Sequence, residues 1–110
     1  MQTERDHHEA NVTVVNEHGM HARPATRFVE LANTFESDIR VSKSDGEVDG
    51  KSVLEMLTLG APCGTTLRIR ANGTDAARAV KELADLIASG FPEFQEGTGP
   101  AGIQAPRPEA

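Results

Sequence analysis

The sequence is poor in cysteine and in aromatic residues. Its 110 residues contain one cysteine, Cys63, and four phenylalanines, but no tryptophan and no tyrosine. A single cysteine excludes an intramolecular disulfide, so Cys63 is most simply a free thiol. Because aromatic side chains are scarce, valine, leucine, isoleucine and alanine must supply most of the buried surface, and we expect an aliphatic core.

Long apolar runs and an excess of positive charge are also missing. No segment is long enough to span a bilayer as an apolar helix, and the N-terminal residues lack the apolar stretch of a signal peptide. We therefore expect a cytoplasmic protein without membrane insertion. The formal charge of −6 argues against nucleic acid as a partner, because neutralising a phosphate backbone requires a basic face.

The composition divides the chain into three parts. Residues 1–10 are polar and charged, and we predict that they form a loose N-terminal leader. Residues 11–94 have the regular patterns of one small domain, which is long enough to bury a single core. Residues 95–110 contain three glycines and three prolines with almost no apolar side chains, so we predict a disordered tail.

Hydrophobic periodicity predicts the element order β-α-β-β-α-β-α. The predicted strands are at 12–15, 39–42, 47–49 and 67–71, and the predicted helices are at 22–33, 53–60 and 76–90. This order is typical of an α+β open-faced sandwich, with an antiparallel or mixed four-stranded sheet and helices gathered on one face.

Several residues mark the ends of the predicted helices. Ser52 and Glu55 have the spacing of a capping box, in which each side chain accepts a hydrogen bond from a backbone N–H of the other residue. Asp75, which follows Thr74, is predicted to cap the last helix. Gly90 is the expected C′ glycine of that helix.

The most informative stretch runs from Gly19 to Ala25 and contains His21, Arg23 and Pro24. Pro24 favours the first turn of a helix, which puts His21 at or next to the N-cap. First-turn N–H groups and the helix dipole form an anion site, and the Arg23 guanidinium is a forked donor for phosphate. A neutral imidazole nitrogen beside such a site can attack phosphorus. The alternative is that His21 is an ordinary surface histidine before a helix and takes part in no reaction.

Three features in this order resemble the HPr family. They are residues 19–25, the Gly50-Lys51-Ser52 run before an apolar helix, and the closing amphipathic helix. HPr proteins are the histidine-containing phosphocarriers of the bacterial phosphoenolpyruvate-dependent phosphotransferase system. The resemblance covers residues 11–93 and implies a four-stranded antiparallel sheet covered on one face by three helices. It also implies a monomeric carrier that is not an enzyme and needs no cofactor.

The resemblance assigns roles to individual residues. It implies that His21 accepts a phosphoryl group at Nδ1 from phospho-enzyme I and passes it to enzyme IIA proteins. Arg23 matches the phosphate-pocket arginine, and the backbone N–H groups of Ala22 and Arg23 would bind the phosphoryl oxygens. Ser52 matches the serine that HPr kinase/phosphorylase modifies in some bacteria, although its capping role is a competing structural interpretation. The Lys51-Ser52 pair favours the sugar-uptake branch over the nitrogen-related branch.

In this family, the region beside the active histidine docks onto partner proteins. The matching residues here are Met20, Val53, Leu54 and Leu57. Ordinary packing of the short helix on the sheet is the alternative for Val53 and Leu57. Met56, on the same helix, is predicted to belong to the core.

Two other functions and one departure from the family pattern remain open. The chain can instead be a regulatory module of the same system, read out through Ser52 or through complex formation, although an intact His21 and Arg23 argue against that as its sole role. A metal site is a further interpretation, but the histidine spacing fits no standard ligand set. It would use His7, His8, His18 and His21.

His18 stands where many relatives carry Asn or Ser, and we interpret it as a loop residue. The alternative is that His18 replaces the hydrogen bond that Asn or Ser makes to the active imidazole in those relatives.

Overall fold

The structure is a computed structural model that describes residues 6–91. Within this range the elements follow one another in the predicted order. They are β1 (His7–Thr13), α1 (Ala22–Ala32), β2 (Asp38–Lys43), β3 (Gly46–Asp49), α2 (Val53–Leu59), β4 (Thr66–Asn72) and α3 (Ala76–Ala88). The tail predicted at 95–110, and the last residues of the predicted domain, lie outside the described residues.

The four strands form one sheet in the order β1-β4-β2-β3, and every neighbouring pair is antiparallel. The register places Leu67 opposite Val12, and it places Val41 between Ile69 and Val48. All five of these side chains are buried, because alternate residues of a strand point to the same face. The predicted open-faced sandwich is confirmed.

The three helices complete the core over the apolar face of the sheet. α3 lies against β1 and β4, α2 packs against β3, and α1 contacts both other helices. Phe28, Phe35 and Phe91 are the aromatic rings that residues 6–91 bury, and aliphatic side chains fill the rest of the core. Met56 is fully buried, which confirms its predicted place in the core.

The first strand begins earlier than the sequence predicted. β1 starts at His7, inside the predicted leader at 1–10, and it ends at Thr13. His7 pairs with Asn72 of β4, and its Nδ1 atom lies 2.9 Å from the Asn72 side-chain oxygen. An edge strand of an open sheet can carry polar side chains on its solvent face, so the alternation of apolar residues is weak here. The predicted strand start at residue 12 was wrong, and the folded part reaches into the predicted leader.

Asp75 occupies the N-cap position of α3, but its side chain makes no capping hydrogen bond. Its carboxylate instead accepts hydrogen bonds from the Glu36 N–H at 2.9 Å, the Ser37 N–H at 3.0 Å and the Ser37 hydroxyl at 2.5 Å. Ser37 is fully buried, and a Cβ at Gly73 would lie 2.5 Å from its hydroxyl oxygen. The predicted capping role of Asp75 was therefore wrong. Its carboxylate fixes the segment between α1 and β2 against the start of α3.

These hydrogen bonds lower the pKa of the Asp75 carboxyl, and the bond from the Ser37 hydroxyl has the largest effect. A carboxyl with a lowered pKa in the folded state stabilises the fold fully above its unfolded pKa. That contribution is lost as the pH falls through the folded pKa. Asp75 should therefore stabilise the protein at neutral pH and cease to do so in acid.

Replacing Asp75 with alanine is expected to lower the free energy of unfolding at pH 7 by about 1–3 kcal/mol, because buried Ser37 donors lose their acceptor. At pH values below about 3 the difference from the wild type should shrink. Urea denaturation at both pH values measures this. Asp85→Ala is the matched control, since exposed Asp85 on α3 makes only an i, i+4 pair with Lys81. Equal losses in the two variants would contradict the assigned role of Asp75.

Candidate functional site

His21 occupies the N-cap of α1 and leaves its side chain unused for capping. Its backbone is extended, with φ −81° and ψ −167°, and its ring makes no capping hydrogen bond. The Ala25 N–H donates to the His21 carbonyl at 3.0 Å, which begins the helical bonding. The side chain is exposed. The imidazole is therefore accessible to a second protein.

The first turn of α1 brings backbone donors and a guanidinium to the same place. The first N–H groups of a helix have no acceptor within it, and Pro24 contributes none because proline lacks an N–H. Ala22 and Arg23 therefore supply the N–H groups that follow the cap. The positive end of the helix dipole adds about 0.3–1 kcal/mol of attraction for an anion. Arg23 and His21 both line one cavity of about 410 Å³.

Two further segments line this cavity, and of their residues the sequence suggested only His18, as an alternative, as a neighbour of the His21 ring. One is the loop before α1, and the other is the end of α3 at Gly90 and Phe91. The loop contributes Asn16, Glu17 and His18. The His18 ring lies edge to face with the His21 ring, with centroids 6.0 Å apart and an interplanar angle of 80°. His18 is an exposed loop residue, as interpreted from the sequence, but its ring faces the candidate site.

A tight turn at Gly19 sets the direction in which the chain enters α1. The Gly19 N–H donates to the Asn16 carbonyl at 3.0 Å, and the Asn16 side-chain amide donates to the Gly19 carbonyl at 2.6 Å. Gly19 has a φ of +69°, which favours glycine. A Cβ there would lie 2.5 Å from the Ala61 carbonyl oxygen and 2.8 Å from the Pro62 Cα. The turn and the backbone approach both require glycine.

The end of α3 is fixed by a Schellman motif. The Phe91 N–H donates to the Leu86 carbonyl at 3.3 Å, and the Gly90 N–H donates to the Ile87 carbonyl at 3.1 Å. Gly90 has a φ of +77°, so the predicted C′ glycine is confirmed. Phe91 has a φ of +58°, which costs about 1–2 kcal/mol for a residue with a Cβ. Complete burial of its ring offsets that cost and holds this wall of the cavity in place.

The predicted docking residues divide between surface and core. Leu54 is 78% exposed and Leu57 is 39% exposed, whereas Val53 is half-buried. Met20 is only 4% exposed, so its predicted place on a docking surface was wrong. Its N–H donates to the Ala61 carbonyl at 2.8 Å, which draws residue 20 into the core directly after the Gly19 turn.

Ser52 forms half of the predicted capping box. Its hydroxyl oxygen accepts a hydrogen bond from the Glu55 N–H at 3.2 Å, so the capping role of Ser52 is confirmed. The Glu55 carboxylate does not return to Ser52 but accepts from the Asp49 N–H at 2.9 Å. The Ser52 N–H donates to the Asp49 carbonyl at 3.2 Å instead. The predicted reciprocal bond of Glu55 was therefore wrong.

The four histidines of the metal interpretation lie in two places. His7 and His8 belong to β1, while His18 and His21 line the cavity. Within residues 6–91, no three or more His, Cys, Asp or Glu side chains form a group that could hold a metal ion. Cys63 is exposed. None of the helices between residues 6 and 91 has the length and apolar character needed to cross a membrane.

Comparisons with known proteins agree with one another. The family model described as "PTS HPr component phosphorylation site" matches residues 8–89. The chain is 36% identical over 83 residues to the phosphocarrier protein HPr of Neisseria meningitidis serogroup B, covering 76% of this chain and 93% of the relative. It is 40% identical over 83 residues to that of Haloferax volcanii, covering 74% and 93%. The crystal structure of HPr-C-His from Thermoanaerobacter tengcongensis matches with a TM-score of 0.75 and 40% identity, over 78% of this chain and 97% of that one.

Replacing Gly19 with alanine is expected to lower the free energy of unfolding by about 1–3 kcal/mol, because the left-handed backbone and the Ala61 oxygen both oppose a Cβ. Gly46→Ala is the matched control, since a Cβ at Gly46 meets nothing within 4 Å. That control should stay within about 0.5 kcal/mol of the wild type. Chemical denaturation of the three proteins measures both effects, and equal stabilities would refute this account of the turn.

Proposed function

The chain belongs to the HPr family of phosphocarrier proteins of the phosphotransferase system, and we propose that it carries the phosphoryl group on His21. The family confirms the prediction of a carrier rather than an enzyme. The observation that carries the proposal is the exposed His21 ring at the N-cap of α1, in one cavity with Arg23.

The first turn of α1 suits the transition state of phosphoryl transfer. The His21 Nδ1 atom attacks phosphorus, and a new N–P bond forms as the bond to the donor protein breaks. Negative charge is spread over the three equatorial oxygens in a loose, in-line transition state. The N–H groups of Ala22 and Arg23 and the Arg23 guanidinium stabilise these oxygens. The reverse process then transfers the group to the next protein.

An exposed His21 also suits transfer in both directions. In-line transfer requires the attacking and leaving atoms to approach phosphorus from opposite sides. Because the ring is exposed, a partner protein can reach the phosphoryl group without a change in the carrier fold. Backbone donors and one arginine hold the group without enclosing it, so it can be passed on.

The proposed partners are phospho-enzyme I as the donor and enzyme IIA proteins as acceptors in the cytoplasm, with sugar uptake as the favoured branch. We define the α2 patch as Val53, Leu54 and Leu57. Leu54 is 78% exposed, and burying such a side chain in an interface is favourable by about 1.5–3 kcal/mol. α2 packs against α1, which begins at the candidate site, so one partner surface can cover both.

Ser52 lies at the start of the helix that carries the α2 patch, which supports a regulatory phosphorylation there by HPr kinase/phosphorylase. A phosphate at a helix N-terminus is favoured by the dipole and does not require unfolding. It would add negative charge beside the exposed leucines and so oppose docking. The same position favours a second candidate function, a regulatory module read out through Ser52. A purely structural cap is the remaining interpretation.

Incubation with phosphoenolpyruvate and enzyme I is expected to add one acid-labile phosphoryl group to the wild-type chain, as measured by intact mass. His21→Ala should take none, while His8→Ala, a control on β1, should be labelled like the wild type. Arg23→Ala should slow labelling roughly 100-fold, because one set of donors to the transition state is lost. An unlabelled wild type or a labelled His21→Ala would refute the proposal.

Two substitutions of Ser52 separate capping from regulation. Ser52→Ala should lower the free energy of unfolding by about 1 kcal/mol, because the Glu55 N–H loses its acceptor. Ser52→Asp retains a good N-cap and should keep the stability, but its charge should slow transfer from phospho-enzyme I several-fold. Urea denaturation and the rate of labelling test the two effects. Transfer by Ser52→Asp at the wild-type rate would leave only the structural role. Loss of partner binding in Ser52→Ala, with none in His21→Ala, would favour the regulatory module.

A further inference from the structure

A second imidazole lies beside His21. The His18 and His21 rings are 6.0 Å apart between centroids and meet edge to face. Both residues are exposed, and both line the cavity that Arg23 also lines. A group bonded to a His21 ring nitrogen and directed into this cavity therefore comes close to His18.

We propose that His18 is a proton-dependent donor to the phosphoryl group on His21, so that pH controls how strongly the carrier holds its cargo. This inference rests on the proposed phosphorylation of His21. The protonated His18 ring donates an N–H to a phosphoryl oxygen and places a positive charge beside it. The neutral ring provides no charge and a single N–H.

The tight turn at Gly19 fixes the backbone around His18. Asn16 and Gly19 exchange two hydrogen bonds, one between backbone groups and one from the Asn16 side chain, so they close the turn on both sides of His18. The Met20 N–H then binds the Ala61 carbonyl. His18 is therefore held beside the start of α1 before any phosphoryl group arrives, and little ordering is needed to form the contact.

Within residues 6–91, the charged groups that line the cavity together with His18 come from two elements. The loop contributes Glu17, and the start of α1 contributes His21 and Arg23. The end of α3 contributes Gly90 and Phe91, neither of which titrates. Guanidinium and carboxylate groups keep their charges between pH 5.5 and 8, whereas imidazole changes its charge in that range. Among the described residues that line the cavity, the two histidines are thus the groups through which pH acts.

The coupling between proton and phosphoryl group is reciprocal. If protonated His18 stabilises phospho-His21, then phosphorylation of His21 must favour protonation of His18. Opposite charges within about 4–6 Å shift a titration by roughly one pH unit or more, and one unit corresponds to a tenfold change in equilibrium. The protonated His18 ring should therefore protect the acid-labile phosphoryl group at low pH, and this protection should be lost as the pH rises.

The direct test follows the histidine rings by NMR in the full chain, before and after phosphorylation by enzyme I and phosphoenolpyruvate. The titration midpoint of His18 is expected to move up by about one pH unit on phosphorylation. His8 is an internal control, since it lies near the far end of β1 from the Asn16 loop. A His18 midpoint that moves no more than that of His8 overturns the proposal.

Two variants test the consequence for the phosphorylated carrier. His18→Asn keeps a hydrogen-bond donor that does not titrate, and His8→Asn is the matched control. Because protonated His18 opposes the acid lability of the P–N bond, hydrolysis of phospho-His21 between pH 8 and 5.5 should accelerate up to about tenfold more in His18→Asn than in the wild type. Protonation of the phosphorylated His21 ring affects hydrolysis in the wild type and both variants alike, so it does not contribute to the difference between them. His8→Asn should behave like the wild type.

The possible results distinguish this proposal from the one on which it rests. If the wild type takes no phosphoryl group on His21, both proposals fail. If it is phosphorylated on His21 and His18→Asn has the wild-type pH profile, only the proposal for His18 fails. A profile that rises more steeply toward low pH in His18→Asn alone supports both.

Discussion

The backbone of Gly19 lies so close to Ala61 and Pro62 that a side chain at position 19 would overlap their atoms. This approach lets the Met20 N–H donate to the Ala61 carbonyl at 2.8 Å, and the Met20 side chain enters the core as a result. Residue 21 follows directly and must leave the core, because it begins α1 at the surface. The exposure of the His21 imidazole is thus a consequence of a backbone contact two residues earlier.

That contact is useful only if the loop that contains Ala61 is itself held in place. The Val14 N–H donates to the Thr65 carbonyl at 2.9 Å, and the Gly64 N–H donates to the Val14 carbonyl at 2.7 Å. These bonds continue the pairing of β1 with β4 beyond the last paired residues of the two strands. These backbone hydrogen bonds therefore hold the loop before α1 and the loop before β4 together. The site is thus anchored to the sheet by backbone hydrogen bonds, although most of its residues belong to loops and helix ends.

The features that the sequence predicts correctly depend on neighbours within about one helical turn. Pro24 indicates the start of α1, and Ser52 and Gly90 indicate helix ends through local chemistry that any fold would use in the same way. The errors arise where a distant partner competes. Asp75 has the local pattern of a cap, but the buried Ser37 donors bind its carboxylate more favourably than the helix end does. Met20 is buried for a similar reason. For His18, only the family resemblance suggested a place beside His21, because no local residue pattern fixes the direction of a loop side chain.

Two helix ends with opposite polarity meet at the cavity. The start of α1 attracts an anion by about 0.3–1 kcal/mol, and the end of α3 would repel one by a similar amount. Gly90 and Phe91 donate their N–H groups to carbonyls of the last turn of α3, so those oxygens are already engaged in hydrogen bonds. The repulsion is thereby weakened without becoming an attraction. The proposed phosphoryl group is then held chiefly by the first turn of α1 and Arg23. Moderate binding of this kind is what a carrier requires, because a tightly held group could not be transferred to the next protein.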